Sequence, residues 1–160
     1  RLEPQVSLPG GVHKAVSLAE VAGTTVNHAF IGSCGSGMWD DLMQAAAVLK
    51  GRRVADGVRL FIAPGTEAST RRLAKEGWMQ VLIEAGAILL PAGCGPCNDA
   101  VIGPIHSGEV SISTATNNPP GRFGAREGKL YLGSPATVAA SAVNGKITDP
   151  REFLAMETAL

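Results

Sequence analysis

The sequence predicts an α/β fold, a three-layer α/β/α sandwich built on a mainly parallel sheet. Short apolar runs typical of buried strands alternate along the chain with segments of helical periodicity. Right-handed crossover connections in such a sheet are expected to place helices on both of its faces. The 160 residues are 45% hydrophobic and 18% charged, which suits one domain with a substantial core.

Five apolar runs are predicted to be buried strands. They occupy residues 28–31, 58–63, 87–90, 110–114 and 129–132. All are far too short to cross a membrane. A proline and a glycine, Pro64 and Gly65, end the second run.

Four segments between and after these runs are predicted to be helices. They occupy residues 39–50, 66–75, 78–85 and 135–143. In the first helix, Leu42, Ala45 and Leu49 recur at helical spacing on one face. Thr66 and Ser134 precede the second and fourth helices and are predicted N-caps, because their hydroxyls can accept from free backbone N–H groups.

We expect residues 1–160 to form a single domain with three parts. Residues 1–25 show no periodicity and contain several prolines and glycines, so they are predicted to be an irregular entry segment. Residues 26–150 are predicted to form the α/β core. Residues 151–160 are predicted to form a C-terminal helix.

Charge and composition exclude several classes of partner. Fourteen basic and fourteen acidic side chains cancel, and no basic cluster indicates a nucleic-acid or membrane surface. Aromatic residues make up 4% of the chain, too few for a base-stacking platform. No charged-then-apolar leader opens the sequence, so we expect a cytoplasmic location.

The three cysteines are the most informative residues of the chain. Cys34 follows the first predicted strand, and Cys94 and Cys97 follow the third. The carboxyl ends of parallel strands meet at one edge of a sheet, so the three thiols are expected to gather there. An odd number of cysteines argues against a disulfide framework. The pattern therefore indicates a metal or iron–sulfur site with one ligand position left open.

The C-x-x-C pair alone is compatible with zinc binding, thiol redox chemistry or an iron–sulfur cluster. A structural zinc site requires a fourth ligand, and His106 stands at no recognised spacing. A thioredoxin-like site would leave Cys34 as a buried bystander. Taken singly, Cys34 is best explained as a small core residue. Two cysteine-bearing turns at one sheet edge weaken that explanation.

Four stretches of the chain resemble the large subunit of the aconitase and isopropylmalate dehydratase family. They are residues 31–34 (IGSC), 91–97 (PAGCGPC), 113–122 (STATNNPPGR) and 131–145 (YLGSPATVAASAVNG). The second stretch is most similar to homoaconitase-type members. The resemblance covers nearly the whole chain. Its motifs are specific, because the three cysteines and their flanking residues agree with the family in order and spacing.

The resemblance implies a fold, a cofactor and a reaction. The chain would be the third of three α/β/α domains that surround a 4Fe–4S cluster, with Cys34, Cys94 and Cys97 as ligands of three irons. The fourth iron would act as a Lewis acid in a hydro-lyase that isomerises a small hydroxycarboxylic acid. The implied partners are the remaining large-subunit domains and a small swivel-domain subunit.

The same resemblance assigns Arg122, Asn118 and Ser36 to the binding of substrate. Arg122 matches an arginine of the family's G-R pair, which suits a carboxylate. The family has arginine where this chain has Asn117, and a Thr-Asn pair where it has Gly35 and Ser36. We therefore expect a substrate outside the citrate and isopropylmalate norm, or a divergent paralogue.

Other residues give weaker signals. His28 is predicted to be a core or strand-end residue, and His13 and His106 lie in irregular segments. No match for the family's base is found, so the chain alone is expected to hold the cluster with little or no turnover. The alternatives are a non-catalytic metal or thiol-redox module of the same fold, and a decayed paralogue whose cysteines survive only as fold elements.

Overall fold

One sheet of seven strands organises the computed structural model, which describes residues 3–98 and 102–154. In chain order the strands are β1 (Gln5–Ser7), β2 (Ala15–Ser17), β3 (His28–Gly32), β4 (Arg59–Ala63), β5 (Ile88–Leu89), β6 (Val110–Ser113) and β7 (Lys129–Leu132). Their order across the sheet is β2-β1-β7-β6-β3-β4-β5. Strands β3 to β7 pair in parallel, and β1 pairs antiparallel with β2 and β7. The predicted α/β class with a mainly parallel sheet is confirmed.

Most helices of the described residues agree with the sequence pattern. They are α1 (Ser33–Ser36), α2 (Trp39–Leu49), α3 (Glu67–Lys75), α4 (Trp78–Glu84), α5 (Pro135–Asn144) and α6 (Arg151–Leu154). Both predicted caps are confirmed, because Thr66 and Ser134 accept hydrogen bonds from the backbone N–H groups of Ser69 and Thr137 at 3.1 and 3.2 Å. None of these helices has the length and apolar character needed to cross a membrane.

The entry segment differs from its prediction. Residues 1–25 were expected to be irregular, which is wrong where β1 and β2 form an antiparallel pair with Val6 opposite Val16. Each of these strands has only three residues, too few to produce an alternating pattern in the sequence. A 3₁₀ turn at Leu18–Glu20 follows them.

The C-terminal helix is described over Arg151–Leu154. The rest of the predicted helix, residues 155–160, lies outside the described residues, as do residues 1–2 and 99–101. The short helix α1 was not predicted. It is a single turn immediately after β3 and contains Cys34.

The two faces of the sheet are covered by different kinds of structure. The buried apolar side chains of α2, α3, α4 and α5 all belong to one hydrophobic cluster, with Ile31 and Ile62 of the sheet. The opposite face carries a second cluster that includes Phe30, Phe61 and Cys97. In the described residues, this second face is covered by a 3₁₀ turn at Gly95–Cys97 and by irregular segments rather than by long helices, so the expectation of helices on both faces is met on one face only. The connections that cross it are rich in proline and glycine, which disfavour helix.

Candidate functional site

The candidate site lies beyond the carboxyl ends of the parallel strands. Cys34 follows β3, the turn at Pro64 and Gly65 follows β4, and Cys94 follows β5. These three strands are neighbours in the sheet, and Gly32 of β3 pairs with Ala63 of β4. The prediction that the two cysteine-bearing turns share one sheet edge therefore agrees with the topology.

A constrained backbone holds the turn that contains Cys34. Gly32 has a φ of 138°, and Ser33 is the one non-glycine residue of the described chain with a positive φ, at 64°. A Cβ at Gly32 would overlap the carbonyl of Ala63. The Gly32 N–H donates to the hydroxyl of Thr114 at 2.9 Å. The turn is thus fixed from both neighbouring strands, while Cys34 itself is exposed.

Backbone hydrogen bonds connect the Cys34 turn to the Cys94 turn through the turn that lies between them. The Gly65 N–H donates to the Gly37 carbonyl at 2.8 Å. The Gly93 N–H donates to the Pro64 carbonyl at 3.0 Å. Cys94 is exposed, and it lines a small surface cavity of about 230 Å³ together with its neighbours.

Cys97 differs from the other two cysteines in its surroundings. Its thiol is buried, with 6% of the residue exposed. The Nη2 group of Arg122 donates to Cys97 Sγ at 3.7 Å. The Nε of Arg122 is also buried and has no hydrogen-bond partner among residues 3–98 and 102–154. The structure therefore brings together one predicted ligand and the arginine predicted to bind substrate.

The described residues contain no ready-made site for a single metal ion. Among the described residues, no three His, Cys, Asp or Glu side chains form a group that could hold one metal ion. The structure therefore places the cysteines at one edge of the sheet without arranging them as the ligands of a mononuclear ion.

Asn118 is part of the fold as well as a predicted binding residue. Its side-chain amide donates to the carbonyls of Leu8 and Leu130 at 2.8 and 2.7 Å, and 1% of the residue is exposed. Its Oδ1 atom is buried with no partner in the part of the chain that the structure describes. Only this oxygen remains for a ligand, because both N–H groups are engaged.

The other predicted binding residues lie closer to solvent. Ser36 is half-buried at the end of α1. Thr116 and Asn117 are exposed, and a Cβ at Gly35 would lie 2.6 Å from Thr116 Cγ2. The segment that follows β6 therefore packs against the turn of Cys34. Arg126, a rival to Arg122 for the carboxylate role, is exposed.

His28 is the residue whose role the sequence least revealed. It is fully buried, which confirms the core prediction. Its Nε2 lies 2.9 Å from the Gly103 carbonyl, which can only accept, so Nε2 carries the proton. Its Nδ1 therefore accepts from the Ser111 hydroxyl at 2.8 Å. Burial lowers the pKa of His28 from 6.5 to about 4, which keeps the ring neutral.

Comparison with known proteins identifies relatives of the chain. Residues 6–145 match the profile of the Aconitase family (aconitate hydratase). A 3-isopropylmalate dehydratase large subunit of Archaeoglobus fulgidus is 48% identical over 95% of this chain and 36% of the relative. A probable methanogen homoaconitase large subunit of Methanosarcina mazei is 46% identical over 95% of this chain and 38% of the relative. A homoaconitase large subunit of Thermus thermophilus is 43% identical over 95% of this chain and 36% of the relative. The chain thus spans just over a third of the length of these relatives.

Proposed function

This chain belongs to the aconitase family, and we propose that it is the cluster-bearing part of a hydro-lyase that dehydrates and rehydrates a small hydroxycarboxylic acid. In this proposal Cys34, Cys94 and Cys97 ligate three irons of a 4Fe–4S cluster, and the fourth iron has no protein ligand. The names of the dehydratase and homoaconitase relatives support the reaction class. Within this chain, the observation that most directly supports the proposal is the contact of Arg122 with the buried thiol of Cys97.

The donors around Cys97 suit an iron–sulfur centre. Hydrogen bonds to the sulfur atoms of such clusters help to set their potential. Arg122 directs one N–H at Cys97 Sγ, and its Nε is buried without a partner in the described ranges. In a cluster each thiolate binds a different iron, so the three thiols are not required to converge on one point. The donor set is therefore compatible with the cluster.

When bound, the cluster would supply an iron that stabilises the hydroxide leaving the substrate. The residues of this chain would bind and orient the substrate. Arg122 is proposed to hold a substrate carboxylate, because a guanidinium offers two parallel N–H donors to that group. The Ser36 hydroxyl is proposed to hydrogen-bond a substrate oxygen. Asn118 would contribute through Oδ1, the one polar atom of its side chain left without a partner in the described chain.

Asn117 bears on the choice of substrate. An amide does not neutralise a carboxylate as a guanidinium does, and replacing a bidentate arginine weakens carboxylate binding by about 1.5–3 kcal/mol. We therefore propose a substrate outside the citrate and isopropylmalate norm. Asn117 is exposed and directly follows Thr116, which packs against the Cys34 turn at Gly35, and this position is consistent with such a role.

The rest of the enzyme is proposed to come from other parts of the assembly. The relatives are named large subunits, and this chain spans just over a third of their length. We propose that residues 1–160 are one domain of a large subunit, that the catalytic base lies in other domains, and that a small swivel-domain subunit completes the site. The proposed location is the cytoplasm.

Anaerobic reconstitution tests the proposed cluster. The reduced chain is incubated with ferrous iron and sulfide, desalted, and analysed for iron, acid-labile sulfide and visible absorption. We expect a brown protein with iron and sulfide in equal amounts. Cys34→Ser is expected to lose the colour, whereas Asp40→Asn, an exposed change six residues away in the first turn of α2, keeps it. A colourless protein that holds zinc would contradict the proposal.

A second candidate is a thiol-redox or metal module without dehydratase chemistry. One observation favours it: Cys94 is exposed and Cys97 is buried within a single hydrogen-bonded turn, in which the Cys97 N–H donates to the Cys94 carbonyl at 3.1 Å. An accessible and a buried thiol in C-x-x-C suit disulfide exchange. In this candidate Cys34→Ser leaves the redox behaviour of the pair intact, which separates it from the cluster proposal.

A further inference from the structure

His28 stands at the amino end of β3, on the face of the sheet that lacks long helices in the described chain. Its neutral ring donates to the Gly103 carbonyl and accepts from Ser111, so both nitrogen atoms are used. The ring also packs against Phe61 and Phe123, with centroids 5.3 and 5.8 Å away. It is therefore a polar centre within an otherwise apolar layer.

The first segment that His28 anchors begins at Gly103. This residue has a φ of 67°, and a Cβ on it would lie 2.7 Å from the ring of Phe61. The Arg59 guanidinium donates to the Pro104 carbonyl at 3.0 Å. The backbone at residues 103–104 thus lies directly on the sheet, held from β3 and β4.

The second segment that His28 contacts contains Phe123. Its ring meets those of His28 and Phe30 edge-on, and the Phe30 centroid is 6.0 Å away. The Phe123 carbonyl accepts from the Ile105 N–H at 2.7 Å. This hydrogen bond joins the two segments to each other, so displacing either one disturbs the other.

Cys97 is buried in the same apolar layer. It shares a hydrophobic cluster with Phe30, Phe61, Ile105 and Phe123. The residue before Phe123 is the arginine whose Nη2 donates to the thiol at 3.7 Å. The thiol is therefore enclosed by side chains that His28 helps to hold in place, although no hydrogen bond joins the histidine to Cys97 in the described structure.

From these contacts we propose that His28 is a positioning residue for Cys97, acting by anchoring both irregular segments that enclose the thiol. The inference goes beyond the proposed function, because it concerns how the thiol is held in the chain whether or not a cluster is bound. A purely apolar residue of similar size would fill the space but would leave the Gly103 carbonyl and the Ser111 hydroxyl without their partner.

Thiol reactivity in the reduced, cluster-free chain tests this role. Iodoacetamide labelling of Cys97 is followed by peptide mass spectrometry and expressed relative to labelling of the exposed Cys34. His28→Leu is expected to raise the ratio by about tenfold, because losing a buried hydrogen bond makes local opening more frequent. His28→Gln, whose amide can donate to Gly103 and accept from Ser111, is expected to return the ratio towards that of the parent chain.

Two further variants keep the test decisive. If His28→Leu does not fold, His28→Asn is used, since its shorter side chain can reach Ser111 but not Gly103; the same increase is expected. Ser141→Ala is the matched control, because its hydroxyl makes buried hydrogen bonds to Thr137 and Thr148 on the helical face. An unchanged Cys97-to-Cys34 ratio in the His28 variants, or an equal increase in Ser141→Ala, overturns the proposal. Neither result depends on whether the chain assembles a cluster.

Discussion

Arg122 and Cys97 are 25 positions apart in the chain, yet Nη2 of the arginine lies 3.7 Å from Sγ of the cysteine. Both side chains belong to segments that leave the carboxyl edge of the sheet and cross its second face. A cation therefore stands next to the one buried thiol of the three. This pair gives the candidate site a chemical asymmetry, because the thiols of Cys34 and Cys94 are exposed.

Replacing Arg122 with glutamine is expected to lower the reduction potential of a reconstituted cluster. The arginine places positive charge and a hydrogen bond on a ligand sulfur, which favours the more negative reduced form. We expect a decrease on the order of 50 mV, since one tenfold change in a one-electron equilibrium corresponds to 59 mV. A redox titration followed by electron paramagnetic resonance measures the shift. Arg126→Gln, a change at an exposed position four residues after Arg122, should leave the reduction potential of the cluster unchanged.

The stability of the chain is expected to fall in mild acid because of His28. Its pKa is about 4 in the folded chain, against 6.5 as the ordinary value, so the unfolded state binds more protons between these limits. The free energy of unfolding therefore keeps its full value above about pH 6.5 and falls by about 3 kcal/mol in total as the pH decreases towards 4. Urea unfolding at pH 7 and pH 5 measures the change. The His28→Gln chain should show a smaller loss, and an equal loss would assign the effect to other groups.

Gly32→Ala is expected to unfold the chain or destabilise it by more than about 3 kcal/mol. Gly32 combines a φ of 138° with a backbone carbonyl, that of Ala63, in the space a Cβ would need. Gly57 also has a positive φ, 80°, but a Cβ there would have nothing within 4 Å. Gly57→Ala should therefore lose only about 1 kcal/mol. Similar losses in the two variants, measured by urea unfolding, would show that the overlap at Gly32 is relieved by a small backbone shift.

Asn118→Ala is expected to destabilise the chain by about 1–3 kcal/mol, because the buried Leu130 carbonyl loses a donor and the partly buried Leu8 carbonyl is left with the Ser7 hydroxyl at 3.5 Å. The affected carbonyls are those of Leu8 and Leu130, so the change loosens the attachment of the entry segment to the core. Glu127→Gln, an exposed change nine positions further along the chain, should alter the free energy of unfolding by less than about 0.5 kcal/mol. A stable Asn118→Ala chain would mean that this side chain is not needed for the fold.

Most of the helices and core strands could be predicted from the sequence, because the longer helices show a helical period and the buried parallel strands lie within continuous apolar runs. The caps at Thr66 and Ser134 could also be predicted, since capping depends on local chemistry. Strands β1 and β2 could not, because three residues carry no periodic signal and their pairing depends on distant partners such as Leu132.

The candidate site could be predicted only in part. The shared edge of Cys34 and Cys94 follows from parallel topology alone. The contact of Arg122 with Cys97 depends on the path of two irregular segments, which no local pattern specifies. The two hydrogen bonds of His28 likewise join positions 75 and 83 residues apart. Its place on the same face of β3 as Phe30 was the available signal, and it indicates burial but not the partners.

One face of the sheet is covered by helices and the other by loops. This division implies two cooperative units that differ in their stability against local opening. Amide hydrogen exchange is expected to be slowest in α2 and α5, and faster at Ile105 and Phe123. Sub-global opening of the faster unit would expose Cys97 while the scaffold beneath Cys34 stays folded. If the proposed cluster is bound, its loss would then be a local event, and the rate of that loss would be set by opening of the loop-covered face rather than by global unfolding.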